Sequence, residues 1–380
     1  MVPLWKIKHE LKRIQRQMAN IPIDAATYFF GAVYYDHVLS KNRRSVLGRQ
    51  PTAAKKAIYL IYPAHGLLPS HLRTLAYFRA KGVSATVVSN LPLPLEDEAK
   101  LLNLCTAYIE RPNFGYDFGG YRDGVLSLEH DLANTEQLVL MNDSSWFPLY
   151  PESDWLANAE ALGVDFVGSV SNGYKSAFPK VMDPVFNRGY RDDDKLFHYG
   201  SFALWIGHQV LHDPKFMLFW KKFPLSNRKR QVIMRGEIGL TRWVRKNGFS
   251  HGSTFDVTGL EVMLKDLSDA RLAEIAQNMI ILGNPSLSTH HYQTLQQMAP
   301  ASRSELIKRI LTITDRQGAG YSLAFFLTLE LKHPFLKKAP LRDSMQAAQI
   351  TLRVLEKIQT EAASEALDEA KRHHRQLLDE

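Results

Sequence analysis

The stretch "AIYLIYPA", residues 57–64, is a continuous apolar run of strand length. A strand apolar on both faces belongs inside a parallel sheet covered on each side. "SHLRTLAYFRAKG" (70–82) follows with helical periodicity, Ser70 placed to cap it and Gly82 to stop it. "VSATVVSN" (83–90) is a second β-branched run ending in turn residues. Strand, helix, strand is a βαβ unit with a right-handed crossover. Further on, "TAYIERPN" (106–113) reads as a short third strand, and a helix over 120–133 follows it. "EQLVLMNDSSWF" (136–147) holds a fourth strand and "DFVGSVSN" (165–172) a fifth. The expected fold class is α/β, a mostly parallel Rossmann-like sheet flanked by helices.

Sheets of this kind bind ligands outside the carboxyl ends of their strands. The polar clusters fall at those ends: Ser89-Asn90, Arg111 to Gly120, and Asn142 to Ser145. "RPNFGYDFGGYRDGV" (111–125) is crowded with glycines, each costly to order. It reads as a tight turn beside a ligand, with Asn113, Asp117 and Asp123 offering polar contacts. A purely structural strand-to-helix turn is the other reading. A dinucleotide fingerprint is excluded, because the G-x-G-x-x-G spacing is absent, and no Walker A run exists.

Composition narrows the partners. The chain has 380 residues, 45% hydrophobic, enough for two or three lobes. The single cysteine, Cys105, rules out an internal disulfide and reads as core. No signal-peptide h-region opens the sequence, and "YSLAFFLTLEL" (321–331) is too short to span a bilayer. A cytoplasmic protein is expected. The net charge of +8 fits a phospholipid surface or a phosphorylated substrate. Nucleic acid is not expected, for want of zinc-finger spacing, an aromatic RNP pattern or a helix-turn-helix. Leu4, Ile7, Leu11, Ile14 and Met18 share one face of a helix over 1–20, with Lys6, Lys8, Lys12, Arg13 and Arg16 around it. Such a helix either lies on an anionic membrane or packs on the body of the protein. Residues 39–56 read as a basic linker. Residues 344–380 read as a helical tail whose last twenty positions lack a wide apolar stripe and are expected to fray or to join a partner. The adjacent pairs His290-His291 and His373-His374 diverge in any regular element, so metal binding there is not expected.

Several segments also carry a resemblance. "RPNFGYDFGGYRDG" resembles the N-x-G…G segment of inverting family 2 glycosyltransferases, and "LVLMNDSSW" stands where that family's D-x-D or N-x-D strand ends. "GEIGLTRWVRKNGF" (236–249) resembles the helix that opens with its catalytic carboxylate. More closely, "VVSN", "NFGYDFGGYRDG", "LMNDSSWFP", "HYGSFALWIGHQVLHDPKFMLFW", "EIGLTRWVRKNGF", "NPSLSTHHYQTL" and "HPFLKKAPLRD" occur in an order that resembles the rhamnan synthesis protein F family, over most of residues 57–343. The resemblance implies an A-type glycosyltransferase core at 57–260, with a donor half (57–172) and an acceptor half (173–260). A mostly helical part at 261–343 and the tail at 344–380 follow, and residues 1–56 form a helical extension and linker. It also implies inverting transfer of a sugar, with dTDP-rhamnose the favoured nucleoside-diphosphate donor. The acceptor would be a cell-surface polysaccharide or a lipid-linked glycan, met at the inner face of the cytoplasmic membrane.

Inverting transfer passes through an oxocarbenium-like transition state and needs a base for the acceptor hydroxyl. Glu237 is the expected base, and His198 and Tyr199 are expected to meet the acceptor. The departing diphosphate needs positive charge. Asp143 is the expected ligand of a divalent cation, Mg²⁺ or Mn²⁺, although the tripeptide Asn142-Asp143-Ser144 is not a D-x-D. Arg111 and Arg122 are candidates for the same task. Asn90, Asn113, Gly115 and Asp117 are expected to line the donor, together with Asn142 and Ser144. The literal D-x-D at Asp192–Asp194 follows a Gly-Tyr-Arg loop and reads as a solvated cluster. A non-catalytic carbohydrate- or nucleotide-binding module on the same fold is the alternative.

Overall fold

The computed structural model describes residues 30–172, 196–297 and 303–379. The expected helix at 1–20 and the Asp192–Asp194 cluster lie outside the described residues. The strands, in chain order, are β1 (Arg44–Leu47), β2 (Lys55–Ile61), β3 (Ser84–Ser89), β4 (Ala107–Glu110), β5 (Gln137–Asn142), β6 (Ser145–Trp146), β7 (Phe166–Asn172), β8 (His198–Tyr199), β9 (Ala203–Ile206), β10 (His251–Phe255) and β11 (Leu336–Lys337). The main sheet runs β1-β4-β3-β2-β5-β9-β7-β10, with β8 paired to β7. β4, β3, β2 and β5 are mutually parallel, whereas β9 enters antiparallel between β5 and β7. All five expected strands are present, in a mixed α/β sheet flanked by helices.

Their apolar runs explain why the sheet is covered on both faces. Tyr59 and Ile61 pack into one core with Phe78, Val87 and Met141. Ile58 and Leu60 point the other way, against Phe118, Tyr121 and Trp220. That alternation is the two-residue period of a strand with helices above and below. Cys105 is buried, and burial pushes its thiol up to about 12, so it holds no thiolate to act as nucleophile.

Three expectations are corrected. The glycine-rich segment is mostly helix, Tyr116–Ser127, and only Gly115, at φ +85°, makes a turn. A Cβ on Gly119 would lie 2.2 Å from the Phe114 carbonyl oxygen; on Gly120, 2.4 Å from Leu60; on Gly124, 2.4 Å from Ile58. Gly120 and Gly124 let the helix lie directly on β2, and Gly119 makes room for the Phe114 carbonyl at the turn. The basic linker at 39–56 contains the edge strand β1, where Arg44 donates to Glu98 at 2.9 Å and to Glu110 at 3.0 Å. The end of the tail packs: in the helix Glu361–Asp379, Ala362, Ala363, Ala366 and Ala370 are buried, and the helix lies against Pro69–Ala80. Its apolar stripe is narrow because small side chains suffice at close approach. Among the described residues no helix is long and apolar enough to cross a membrane.

Candidate active site

The carboxyl ends of β2 and β5 lie side by side, and Asn142 and Asp143 emerge there. Asp143 Oδ2 accepts from the Tyr62 amide at 2.7 Å and from His71 Nε2 at 3.1 Å. The Leu68 amide donates to His71 Nδ1 at 3.1 Å, so the ring proton sits on Nε2. Burial works against the Asp143 charge, but the His71 bond, the Lys338 charge and the Tyr62 amide outweigh it and hold the carboxyl below its usual range. Asn142 Nδ2 donates to Asp117 Oδ2 at 3.0 Å, while Asn142 Oδ1 accepts from the Ser144 amide and hydroxyl. Asn142 thus joins the strand end to the first turn of the Tyr116–Ser127 helix.

A distant segment completes this edge. β11 pairs antiparallel with β6, Leu336 opposite Trp146 and Lys337 opposite Ser145. Lys337 Nζ donates to Ser144 Oγ at 3.0 Å and lies 3.8 Å from the centre of the Phe202 ring. The centre of the Tyr321 ring lies 5.5 Å from the same ammonium. Burial pushes the Lys337 ammonium down to about 8, opposed by the charges of Glu237 and Asp117.

Glu237 ends a π-helical turn, Ile233–Glu237, that leads into the helix Ile238–Lys246. Such turns concentrate at functional sites. Gly236 within it faces the Phe118 ring, where a Cβ would come to 2.3 Å. Glu237 Oε1 accepts from the Ser201 hydroxyl and, at 3.3 Å, the Ser201 amide. Tyr121 donates to the Ser201 carbonyl at 2.7 Å. Asp117 and Tyr121 lie on one helix, so the carboxylate and its anchor share a frame. Burial first, then Glu237 and Asp143, push Asp117 up to about 6, with Lys337 opposing. Two carboxylates and one ammonium therefore act on one another beside Asp143.

The structure brings together Asp117, Asn142, Asp143, Ser144 and Glu237 from the expected set. Arg111, Asn90 and Arg122 have other tasks. Arg111 donates to Asp123 at 2.7 Å, Tyr35 at 3.0 Å, Asn90 at 2.6 Å and the Phe114 carbonyl at 2.7 Å, all in the interior. Arg122 grips Asp36 at 2.7 and 2.8 Å and the Trp220 carbonyl at 3.0 Å. The Gly115 amide is held by Asn227 at 2.7 Å, and Asn113 is exposed at the turn. Tyr199 points inward, its hydroxyl 2.6 Å from His251 Nδ1, and His198 Nδ1 lies 2.8 Å from the Leu196 carbonyl. Lys337, Tyr321, Ser201 and His71 are the site residues that sequence reasoning missed. Lys337 stood inside the quoted "HPFLKKAPLRD", but nothing local marks which strand it returns to.

Among the described residues no three His, Cys, Asp or Glu side chains form a metal cage. A divalent cation fits in its leanest form, on the Asp143 oxygen that accepts no bond from the described residues. Mg²⁺ commonly takes one or two carboxylates and fills its shell with substrate phosphate and water.

Comparison with known proteins gives a family and several distant likenesses. The family model described as rhamnan synthesis protein F matches residues 85–317, well over half of the chain. The uncharacterized protein y4gN of Sinorhizobium fredii is 35% identical over 258 residues, which are 67% of this chain; the chain spans 62% of that relative's length. Among solved structures, S. aureus TarS 1–349 with UDP-GlcNAc is 11% identical, covering 82% of this chain and 83% of its own, at a TM-score of 0.30. PcManGT of Pyrobaculum calidifontis, a mannosyltransferase in complex with GDP-Man and Mn²⁺, is 12% identical, covering 91% and 93%, also at 0.30. Scores this low establish nothing about the site. The family match does establish kinship: this chain belongs to the rhamnan synthesis protein F family.

Proposed function

We propose that the protein is an inverting glycosyltransferase that moves a sugar, with rhamnose the favoured candidate, from a nucleoside-diphosphate donor to a polysaccharide or lipid-linked glycan. The observation that carries this reading is the convergence of Asp117, Glu237 and Lys337 on the carboxyl end of β5, in a chain of this family. The donor lies along Asn142–Ser144 and the first turn of the Tyr116–Ser127 helix. Glu237 takes the acceptor hydroxyl proton as that oxygen bonds the anomeric carbon, and the bond to the diphosphate breaks on the opposite face. Ser201 fixes Oε1, which leaves Oε2 for the proton. Asp117 and Asn142, joined by their hydrogen bond, orient the sugar or ribose hydroxyls. A cation on Asp143, when bound, neutralises the diphosphate.

Incubation with radiolabelled dTDP-rhamnose and other nucleotide sugars, in EDTA and with Mg²⁺ or Mn²⁺, tests the reading. Transfer to a glycan acceptor is expected, faster with metal. Binding without turnover against any acceptor offered would instead assign a non-catalytic module. The basic balance and the sequence pattern of residues 1–20 support action at an anionic membrane face, each basic residue contributing roughly 1 kcal/mol there. In liposome co-sedimentation, a truncation starting at residue 21 is expected to pellet less than the full chain; equal pelleting returns that segment to a packing role.

A further inference from the structure

Two adjacent lysines on the returning segment are treated in opposite ways. Lys338 is neutralised: its ammonium donates to Glu369 at 2.8 Å and to Ser70 at 2.9 Å. Lys337 is more deeply buried than Lys338, yet among the described residues no carboxylate oxygen lies within 4.0 Å of it. Its one hydrogen bond among the described residues goes to a neutral hydroxyl, and the centres of the Phe202 and Tyr321 rings lie 3.8 and 5.5 Å from it. The charges that face it are Glu237 and Asp117, both outside ion-pair distance. A buried ammonium is costly when no anion contacts it. A site that keeps one in that condition beside Ser144, at the strand end where the donor is placed, is suited to receive an anion.

We infer that Lys337 is a ligand of the donor's diphosphate and takes up the negative charge of the leaving group. The inference rests on the proposed function and deepens it. As the anomeric C–O bond breaks, its electron pair passes to the diphosphate oxygen, and an N–H of Lys337 hydrogen-bonds to that oxygen. No proton changes hands at Lys337. The residue supplies, from the protein itself, charge that a single aspartate and its cation would otherwise supply alone. Charge-assisted bonds of this type are short and about twice as strong as neutral ones.

The test is binding of UDP, GDP and dTDP, each against its own nucleoside, by calorimetry and ligand-observed NMR in EDTA. In the tightest pair, Lys337→Met is expected to weaken the diphosphate by about 10- to 100-fold and to leave the nucleoside unchanged. Lys337→Gln keeps a donor for Ser144 and is expected to behave alike, which covers the case in which the methionine variant fails to fold. Melting temperatures of both variants accompany the titrations. Unchanged diphosphate affinity, or equal loss for diphosphate and nucleoside, overturns the inference. With wild-type turnover intact, either result leaves the glycosyltransferase reading standing. A wild-type protein that binds none of the three diphosphates, in EDTA or with Mg²⁺, overturns both.

Discussion

Glu237→Gln is expected to lower turnover by about 10²- to 10⁴-fold while donor affinity stays as it is. Glutamine keeps the shape of the side chain and can still accept from the Ser201 hydroxyl and amide, so the π-helical turn that carries it should not move. Only proton acceptance is lost, and that proton belongs to the acceptor. Asp143→Asn should separate cleanly from it. Asp143 meets the strand end, the Tyr62 amide and His71, where the proposed mechanism puts the donor. Its loss should reduce donor affinity and rate together, with partial recovery in excess Mg²⁺. Initial rates and donor calorimetry on the two variants decide the assignment. Near-normal turnover in Glu237→Gln would transfer the role of base to Asp117, the other carboxylate facing the same point.

The second large effect is on stability. Arg111 and Asp123 are both buried, and Tyr35 donates to the same carboxylate. Burial, the largest influence on the Tyr35 hydroxyl, together with the Asp123 charge, raises it well above the usual tyrosine range, so it stays a donor. Arg111→Met removes the only cation in this cluster and strands the carboxylate. Breaking a buried pair from one side costs about 3–5 kcal/mol. The urea midpoint should fall accordingly with an unchanged slope. Adding Asp123→Asn should return part of the loss, because the stranded charge is then gone. An unchanged midpoint with impaired donor binding would refute the structural role and restore Arg111 to the donor-binding set.

These cases show what was legible in the sequence. β2, β3, β4, β5 and β7 could be read because apolar runs bounded by turn residues are local signals. Asp143 could be placed because it follows the end of such a strand, whereas Glu237 was reached through the resemblance of its helix to one that opens on a carboxylate. Arg111 could not: its partners Asp123, Tyr35 and Asn90 come from three elements, and a guanidinium beside a polar turn looks the same whether it faces ligand or core. The glycine run misled for a similar reason. Gly120 and Gly124 break helical propensity, and only Leu60 and Ile58 opposite them show why the helix carries them. β1 and Lys337 were invisible because their pairing is wholly tertiary; Ser144 and Lys337 lie 193 residues apart.

That separation bears on how the protein comes into being. During synthesis the strands β2 to β5 can assemble early, since their crossovers are short. The strand end carrying Asn142, Asp143 and Ser144 then waits, without its lysine, until the segment holding β11 has been made. Lys338 in turn finds its counter-charge only when Glu369 follows in the helix Glu361–Asp379. Pairings of such long range form late and slowly. A ribosome that stops short of residue 337 therefore releases a chain whose sheet is formed and whose Ser144 lacks its lysine. If Lys337 holds the diphosphate as proposed, such a partial product would hold the donor more weakly than the full chain.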